Sequence, residues 1–378
     1  MIVIYKNFQN LKLSALGFGT MRLPTIDGDD GNIDQARVEE MVACAIKKGI
    51  NYFDTAWGYH NGMSETAIGK ALSAYPRESF YLASKFPGYD LSNMTKVKEI
   101  FEKQLQKCGA EYFDFYMFHN VCEANIDSYL DEKYGIFDYL TEQKRLGRIK
   151  HLGFSGHGST DVLRRFLEKY GHAMEFGQLQ INWIDWEFQN GRGKYELLRE
   201  WNIPVWVMEP LRGGRLCRLS EEDEAKLRAL RPDETVTSWA FRFLQSLPEV
   251  TMVLSGMSSY EQMMQNTATY ETEAPLSEEE LRTLLGIAKC MTSQIALPCT
   301  ACRYCTEYCP QGLDIPMLLE LYNEHAFTGG GFLAPMALSA VDESKRPAAC
   351  IGCKVCEQVC PQNIKISEAM SKFCKMLK

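Results

Sequence analysis

Hydrophobic and polar positions between about residues 14 and 270 follow two alternating patterns. Short apolar runs, which are typical of buried strands, alternate with longer stretches in which apolar residues recur at helical spacing. The eight predicted strands are Leu16–Thr20, Asn51–Ala56, Phe80–Lys85, Phe113–Asn120, Ile149–Gly156, Phe176–Asn182, Pro204–Pro210 and Val250–Gly256. The predicted helices lie near residues 34–48, 64–75, 92–107, 126–147, 160–170, 191–201, 233–246 and 259–269. This alternation predicts parallel strands joined by right-handed crossovers.

Eight strand–helix units over about 250 residues fit an α/β fold of the (β/α)8 TIM-barrel type. An open sheet is the alternative that the pattern alone allows. Residues 2–13 resemble a short hairpin that would close the barrel floor. Ser277 and Glu280 form a capping box and predict one more helix over residues 277–291. We therefore expect the barrel in residues 1–275 and a helical linker with a small, mostly α-helical domain in residues 276–378.

The second domain is marked by its cysteines, since eight of the 14 in the chain lie in two runs of identical spacing there. Each run reads C-x2-C-x2-C-x3-C-P, as in bacterial two-cluster ferredoxins, where the fourth cysteine ligates the other cluster. This pattern predicts two [4Fe–4S] clusters, because zinc ribbons use pairs of C-x2-C instead. The predicted ligands of the first cluster are Cys299, Cys302, Cys305 and Cys360. Those of the second are Cys309, Cys350, Cys353 and Cys356.

Charge and hydropathy exclude several classes of partner. The net charge is −8, so there is no basic field to hold nucleic acid or an anionic membrane. No apolar run approaches the roughly 18 residues of a membrane helix, so we expect no membrane span. The N-terminal residues show no secretory signal. The sequence therefore predicts a cytoplasmic protein whose cysteines bind metal and do not form disulfides.

Three consecutive predicted strands carry ionisable residues at or just after their carboxyl ends: Asp54 and Tyr59, then Lys85, then His119. Taken singly, Asp54 could cap a helix, Lys85 could be a solvated strand end and His119 a core histidine. Together they would meet at one mouth of the barrel, where barrel enzymes place their chemistry. A lysine cation beside a phenol lowers the phenol pKa, and the pairing of Asp54 with Lys85 would hold that cation in place. Such a group suits protonation of a carbonyl oxygen.

Residues 1 to about 275 resemble an aldo-keto reductase. The resemblance rests on Phe53-Asp54-Thr55-Ala56-x-x-Tyr59, on the Lys85 strand end and on His119. It implies a nicotinamide-dependent reductase in which Tyr59 is the general acid of a tetrad with Asp54, Lys85 and His119. The whole chain resembles the subgroup of that family that is fused to a C-terminal ferredoxin domain.

The resemblance also implies contacts to the nucleotide. Ser155 and Gln180 match ligands of the carboxamide, whereas Gly156 replaces the asparagine usual in the family and Met208 replaces the usual stacking aromatic residue. The remaining implied contacts are Pro210, Leu211, Gly213, Gly214, Ser255, Gly256, Met257, Gln262, Gln265 and Asn266. The stretch after Gly256 contains no Arg or Lys to hold a 2′-phosphate. The choice between NADP and NAD is therefore open, and the altered contacts leave room for a flavin.

Two functions fit these observations. The first is an oxidoreductase that transfers hydride between a nicotinamide cofactor and a small carbonyl or alcohol substrate, with two clusters that carry electrons. Its difficulty is that hydride moves two electrons and a cluster moves one, so coupling needs a flavin or a radical-stabilising substrate. The second is a non-catalytic redox sensor or electron-transfer subunit that binds nucleotide and docks a protein partner.

Overall fold

The computed structural model describes residues 2–293 and 296–378. The chain divides into two compact units, Met1–Leu284 and Leu285–Lys378. Within the described residues, no helix combines the length and the apolar character needed to cross a membrane.

The first unit is a closed barrel of eight parallel strands, which confirms the predicted fold over an open sheet. The strand order is β10-β3-β4-β5-β6-β7-β8-β9. The barrel strands are β3 (Leu16–Gly19), β4 (Tyr52–Asp54), β5 (Tyr81–Phe86), β6 (Phe113–Val121), β7 (Ile149–Gly156), β8 (Gly177–Gln180), β9 (Val205–Met208) and β10 (Val250–Gly256). All eight were predicted from their apolar runs, and the differences are of a few residues at the ends.

A hairpin precedes the barrel, as predicted for residues 2–13. Its strands are β1 (Tyr5–Phe8) and β2 (Leu11–Ser14), which pair antiparallel. The Phe8 ring packs edge-on against Trp206 from β9, with ring centroids 5.0 Å apart. The hairpin thus adds its apolar side chains to the barrel core.

The helices around the barrel follow the strands in sequence. They are α1 (Gln35–Lys47), α2 (Ser64–Leu72), α3 (Val97–Cys108), α4 (Ile126–Leu130), α5 (Ile136–Arg145), α6 (Thr160–Tyr170), α7 (Asp185–Phe188), α8 (Gly191–Glu200), α9 (Glu221–Leu230), α10 (Val236–Gln245) and α11 (Tyr260–Thr269). The single helix predicted over 126–147 is wrong. The chain turns between α4 and α5, and Gly135 there has a left-handed φ of 60°, which favours glycine.

The barrel interior is apolar in its middle and polar at one end. Its central layer is built from inward-facing side chains of the strands, among them Tyr52, Phe115, Trp206 and Leu254. Toward the carboxyl ends of β4 and β5, the next inward-facing positions are Asp54 and Lys85, both buried. Side chains on one face of a strand recur at every second residue. The same strand can therefore place an apolar side chain in one layer of the barrel interior and an ionisable side chain in the next layer.

The second unit is helical. It begins within α12 (Glu278–Ser293), at Leu285, and contains α13 (Tyr304–Glu307), α14 (Ile315–Thr328), α15 (Leu333–Ser339), α16 (Val355–Gln358) and α17 (Ile366–Met376). Its core joins Leu318, Phe373 and other apolar residues to the buried Cys305 and Cys356. Four more of the predicted ligand cysteines pack against this core: Cys299, Cys309, Cys350 and Cys360. Six of the eight predicted ligand thiols therefore lie within or against the interior of this unit, whereas Cys302 and Cys353 are exposed.

Candidate active site and cluster ligands

The four residues predicted to form the catalytic site converge at the carboxyl end of the barrel. Asp54 ends β4, Lys85 lies on β5 and His119 on β6, and these strands are neighbours in the sheet. Tyr59 begins the short 3-10 helix Tyr59–Gly62 that follows β4. Its ring stands edge-on to the His119 ring, with centroids 6.0 Å apart. The strand order thus brings together residues that are 65 positions apart in sequence, from Asp54 to His119.

Lys85 is the centre of this group. Its ammonium donates to Asp54 Oδ1 at 2.5 Å and to the Thr55 carbonyl at 2.8 Å, and it lies 3.5 Å from the Tyr59 hydroxyl. The side chain is fully buried. Three contacts use the three donors of an ammonium group, so the cation has one fixed direction.

Burial and neighbouring charges act against each other at Lys85 and at Tyr59, and the pKa of both groups is raised. Burial alone would lower the pKa of Lys85, but Asp54 and Tyr59 outweigh it and the pKa is raised. Burial raises the pKa of the Tyr59 phenol, and the Lys85 cation opposes this effect without cancelling it. The sequence-based expectation that Lys85 lowers the phenol pKa thus has the right sign for the pair, but burial dominates.

His119 is held neutral. Burial, followed by the charge of Lys85, keeps its pKa well below the ordinary range. Its Nδ1 atom is buried and has no hydrogen-bond partner among the described residues. The Tyr89 ring packs edge-on against the His119 ring, with centroids 5.1 Å apart. A neutral imidazole with an unused nitrogen can hydrogen-bond to a substrate oxygen.

The implied carboxamide ligands lie on the adjoining strands. Ser155 is the penultimate residue of β7, and its Oγ accepts from the Asn120 N–H at 2.9 Å, so its own hydroxyl proton remains available to a ligand. Gln180 ends β8 and donates its amide to Asp185 at 2.8 Å. The buried Gln180 Oε1 accepts no hydrogen bond of good geometry among the described residues, although the Gln180 side chain also faces the His157 imidazole, whose pKa that contact raises against the stronger effect of burial. One available donor and one available acceptor match the two halves of a carboxamide, so these residues fit a nicotinamide.

Asp185 and Arg212 form a buried ion pair that the sequence did not reveal. Arg212 Nε lies 3.0 Å from Asp185 Oδ2, and both side chains are almost fully buried. Asn182 donates to the same carboxylate at 2.6 Å. Asp185 lies in the segment after β8 and Arg212 in the segment after β9, and no motif links them. The ion pair with Arg212 fixes the Asp185 carboxylate. Because the Gln180 amide donates to this carboxylate, the ion pair also orients the Gln180 side chain.

The other predicted nucleotide contacts lie after β9 and β10. Gly213 and Gly214 have left-handed φ values of 68° and 90°, in the turn that follows Met208, Pro210 and Leu211. Asn266 donates to Ser255 Oγ at 3.1 Å, and Met257 is buried. Gln262 Oε1 accepts from the Ser258 N–H at 2.8 Å. Gln265 lies exposed on α11, and Gly256 ends β10.

The second unit contains two cavities, each lined by one predicted cysteine quartet. One is lined by Cys299, Cys302, Cys305 and Cys360. The other is lined by Cys309, Cys350, Cys353 and Cys356. Among the described residues, no three His, Cys, Asp or Glu side chains converge on the position of a single ion. Four thiolates around an open space are instead the donor set of a cluster, in which each binds a different iron.

Comparisons with known proteins agree with this division. Residues 15–289 match the model of the aldo/keto reductase family, and residues 298–364 match that of a 4Fe-4S dicluster domain. A probable aldo-keto reductase of soybean is 30% identical over 215 residues, which cover 54% of this chain and 58% of the relative. The NADH-specific methylglyoxal reductase of Escherichia coli is 24% identical over 68% of this chain and 90% of its own length.

Solved structures show the same barrel. The holo form of an aldo-keto reductase from Bacillus halodurans matches 75% of this chain and 96% of its own, with a TM-score of 0.60 and 24% identity. A likeness at this identity concerns the fold. The family match, however, extends over well more than half of the chain. The chain therefore belongs to the aldo/keto reductase family and carries a C-terminal 4Fe-4S dicluster domain.

Proposed function

We propose that this protein is an NAD(P)-dependent oxidoreductase that interconverts a small carbonyl compound and its alcohol, with Tyr59 as the general acid and base. The nicotinamide supplies or accepts the hydride. The observation that carries the proposal is the Lys85 ammonium, which is fully buried and lies 3.5 Å from the Tyr59 hydroxyl. A fixed cation beside a phenol stabilises the phenolate that remains once the proton has been given to the carbonyl oxygen.

Each residue of the group has a role in this scheme. The Tyr59 hydroxyl transfers the proton, and Lys85 stabilises the resulting charge. Asp54 holds Lys85 at 2.5 Å, as a positioning residue. His119, neutral and with its Nδ1 unused, orients the substrate oxygen. Ser155 and Gln180 bind the carboxamide and so fix which face of the ring meets the substrate.

Replacing Tyr59 by Phe tests this role. We expect turnover to fall by about 10²–10⁴-fold, the usual contribution of a positioned general acid, with little change in dinucleotide affinity. Methylglyoxal with NADH is a suitable first assay, because a relative acts on that pair. Tyr139→Phe is the matched control, since its hydroxyl lies on α5 beside Glu102, away from the site. Unchanged turnover in Tyr59→Phe would exclude this phenol as the proton donor.

We further propose that the two clusters carry electrons, which the pairing of two cavities supports. Two one-electron centres together have the capacity for the two electrons of one hydride. Anaerobic addition of NADH, with and without substrate, should give the paramagnetic signal of reduced clusters where a bound flavin or a radical-stabilising substrate divides the hydride into single electrons. Clusters that stay oxidised under both conditions would indicate a structural role. The absorbance spectrum of the purified protein tells whether a flavin accompanies them.

A further inference from the structure

The segment after β10 has little capacity of its own to hold a phosphate. Residues 255–266 contain no Lys or Arg. At the start of α11, the Ser258 N–H is taken by Gln262 Oε1, and the Gln262 N–H by Ser259 Oγ at 3.3 Å. A pyrophosphate carries two negative charges, which an arginine or lysine side chain can neutralise while donating hydrogen bonds, and this segment supplies neither residue.

The tertiary structure brings a cation, the guanidinium of Arg22, to the segment after β10 from the N-terminal part of the chain. Arg22 lies just beyond β3, and its carbonyl accepts from Ser258 Oγ at 2.9 Å. The aliphatic stem of Arg22 lies along Gly256, where an added Cβ would be 3.4–3.5 Å from the Cβ, Cγ and Cδ atoms of the arginine. Arg22 is thereby held against the segment after β10, although Gly256 and Arg22 are 234 positions apart in sequence.

The guanidinium end of Arg22 reaches the neighbouring segment after β9. A Cβ added to Gly213 would lie 2.9 Å from Arg22 Nη2. The φ of 68° at Gly213 favours glycine for a second, independent reason. Among the residues that the structure describes, Arg22 forms no ion pair, and its side chain is exposed. The Arg22 side chain thus reaches from the segment after β10, at Gly256, to the segment after β9, at Gly213. Its positive charge remains available to a ligand.

We propose that Arg22 binds the pyrophosphate of the dinucleotide and supplies the cation that the segment after β10 lacks. The inference rests on the proposed function, because it assumes that a dinucleotide binds at this mouth of the barrel. The planar guanidinium can donate two hydrogen bonds to phosphate oxygens at once. Since both NADH and NADPH carry the pyrophosphate, Arg22 contributes equally to the two and does not select between them.

The test is equilibrium binding of NADH, NADPH and ADP-ribose to the wild-type chain and to Arg22→Gln, by titration calorimetry. ADP-ribose keeps the pyrophosphate and lacks the nicotinamide, so it reports on Arg22 without any turnover. Loss of a charge-assisted hydrogen bond predicts about tenfold weaker binding of all three ligands. Arg164→Gln, at a partly exposed arginine that pairs with Glu200 on α8, is the matched control and should bind as the wild type does.

The outcomes separate this inference from the function on which it rests. If wild-type protein binds no dinucleotide, both fail. If wild type binds and Arg22→Gln binds all three ligands equally well, only the inference is overturned. A loss confined to NADPH would also overturn it, because it would place Arg22 at the 2′-phosphate. Arg22→Lys keeps the charge without the planar fork, and we expect its affinities to lie between those of wild type and Arg22→Gln.

Discussion

At the scale of single residues, burial has as much influence on the site as the identity of the side chains. Lys85, Asp54 and Tyr59 are all enclosed, and each contact of the ammonium offsets part of the cost of removing it from water. Their residue types and strand positions were visible in the sequence. Their degree of enclosure was not, and it raises the pKa of Tyr59 against the pull of Lys85.

His157 provides a pH-dependent prediction at this scale. Burial, followed by the charge of Lys194, lowers its pKa to about 4. The unfolded chain protonates this imidazole near its ordinary pKa of about 6.5, whereas the folded chain does not. Falling pH therefore favours unfolding between about pH 6.5 and 4, and stability from this group is complete above that range.

We expect His157→Asn to reduce the loss of stability of the first unit between pH 7 and 4.5. All six tryptophans lie in residues 57–239, so urea unfolding followed by tryptophan emission reports on this unit. His172→Asn, at an exposed position, is the control. An unaltered pH dependence in His157→Asn would contradict the prediction. His119 should retain part of the slope, because its pKa is lowered as well.

At the scale of elements, the packing of α2 against α3 supports the backbone of β5 that carries Lys85. Gln104 on α3 donates to Glu65 on α2 at 2.7 Å and to the Lys85 carbonyl at 3.0 Å. Gly69 lets α2 approach the end of α3, since a Cβ there would lie 2.5 Å from the Cys108 carbonyl oxygen. Helical periodicity predicted both helices, but it carries no information on how closely they approach each other.

Gly69→Ala should therefore destabilise the first unit by about 1–3 kcal/mol, because the helices must separate to admit the methyl group. Gly286→Ala is the matched helical glycine. It lies exposed on α12 with no atom within 4 Å of an added Cβ. There the substitution should stabilise by about 0.5–1 kcal/mol. Chemical denaturation monitored by circular dichroism measures both, and equal effects of the two substitutions would contradict this interpretation.

At the scale of the whole molecule, two units depend on different sources of stability. The barrel has an apolar interior, whereas the second unit has ligand thiols within and around its core. Ligand binding and folding are coupled in such small metal-binding domains. Removal of iron with bipyridine under anaerobic reducing conditions should therefore lower the helical circular dichroism while tryptophan emission stays unchanged. A simultaneous shift in tryptophan emission would show that the barrel also requires the clusters.

The sequence by itself determined the number and order of the barrel strands, the four residues of the candidate catalytic site and the two cysteine runs. It could do so because a buried strand leaves a continuous apolar run, because polar residues at its end interrupt that run, and because cluster ligands have fixed local spacing. The break at Gly135 was missed, since apolar spacing continues across the turn between α4 and α5.

Only the tertiary structure decided which distant side chains meet. Arg212 pairs with Asp185 across 27 positions, and Arg22 crosses Gly256 and Gly213 from the start of the barrel. The sequence alone showed no Arg or Lys in the stretch after Gly256, and the closing of the barrel, which pairs β10 with β3, brings Arg22 beside that stretch. The reason is physical: ion pairing and burial depend on distances in space, and a local pattern records only distances along the chain.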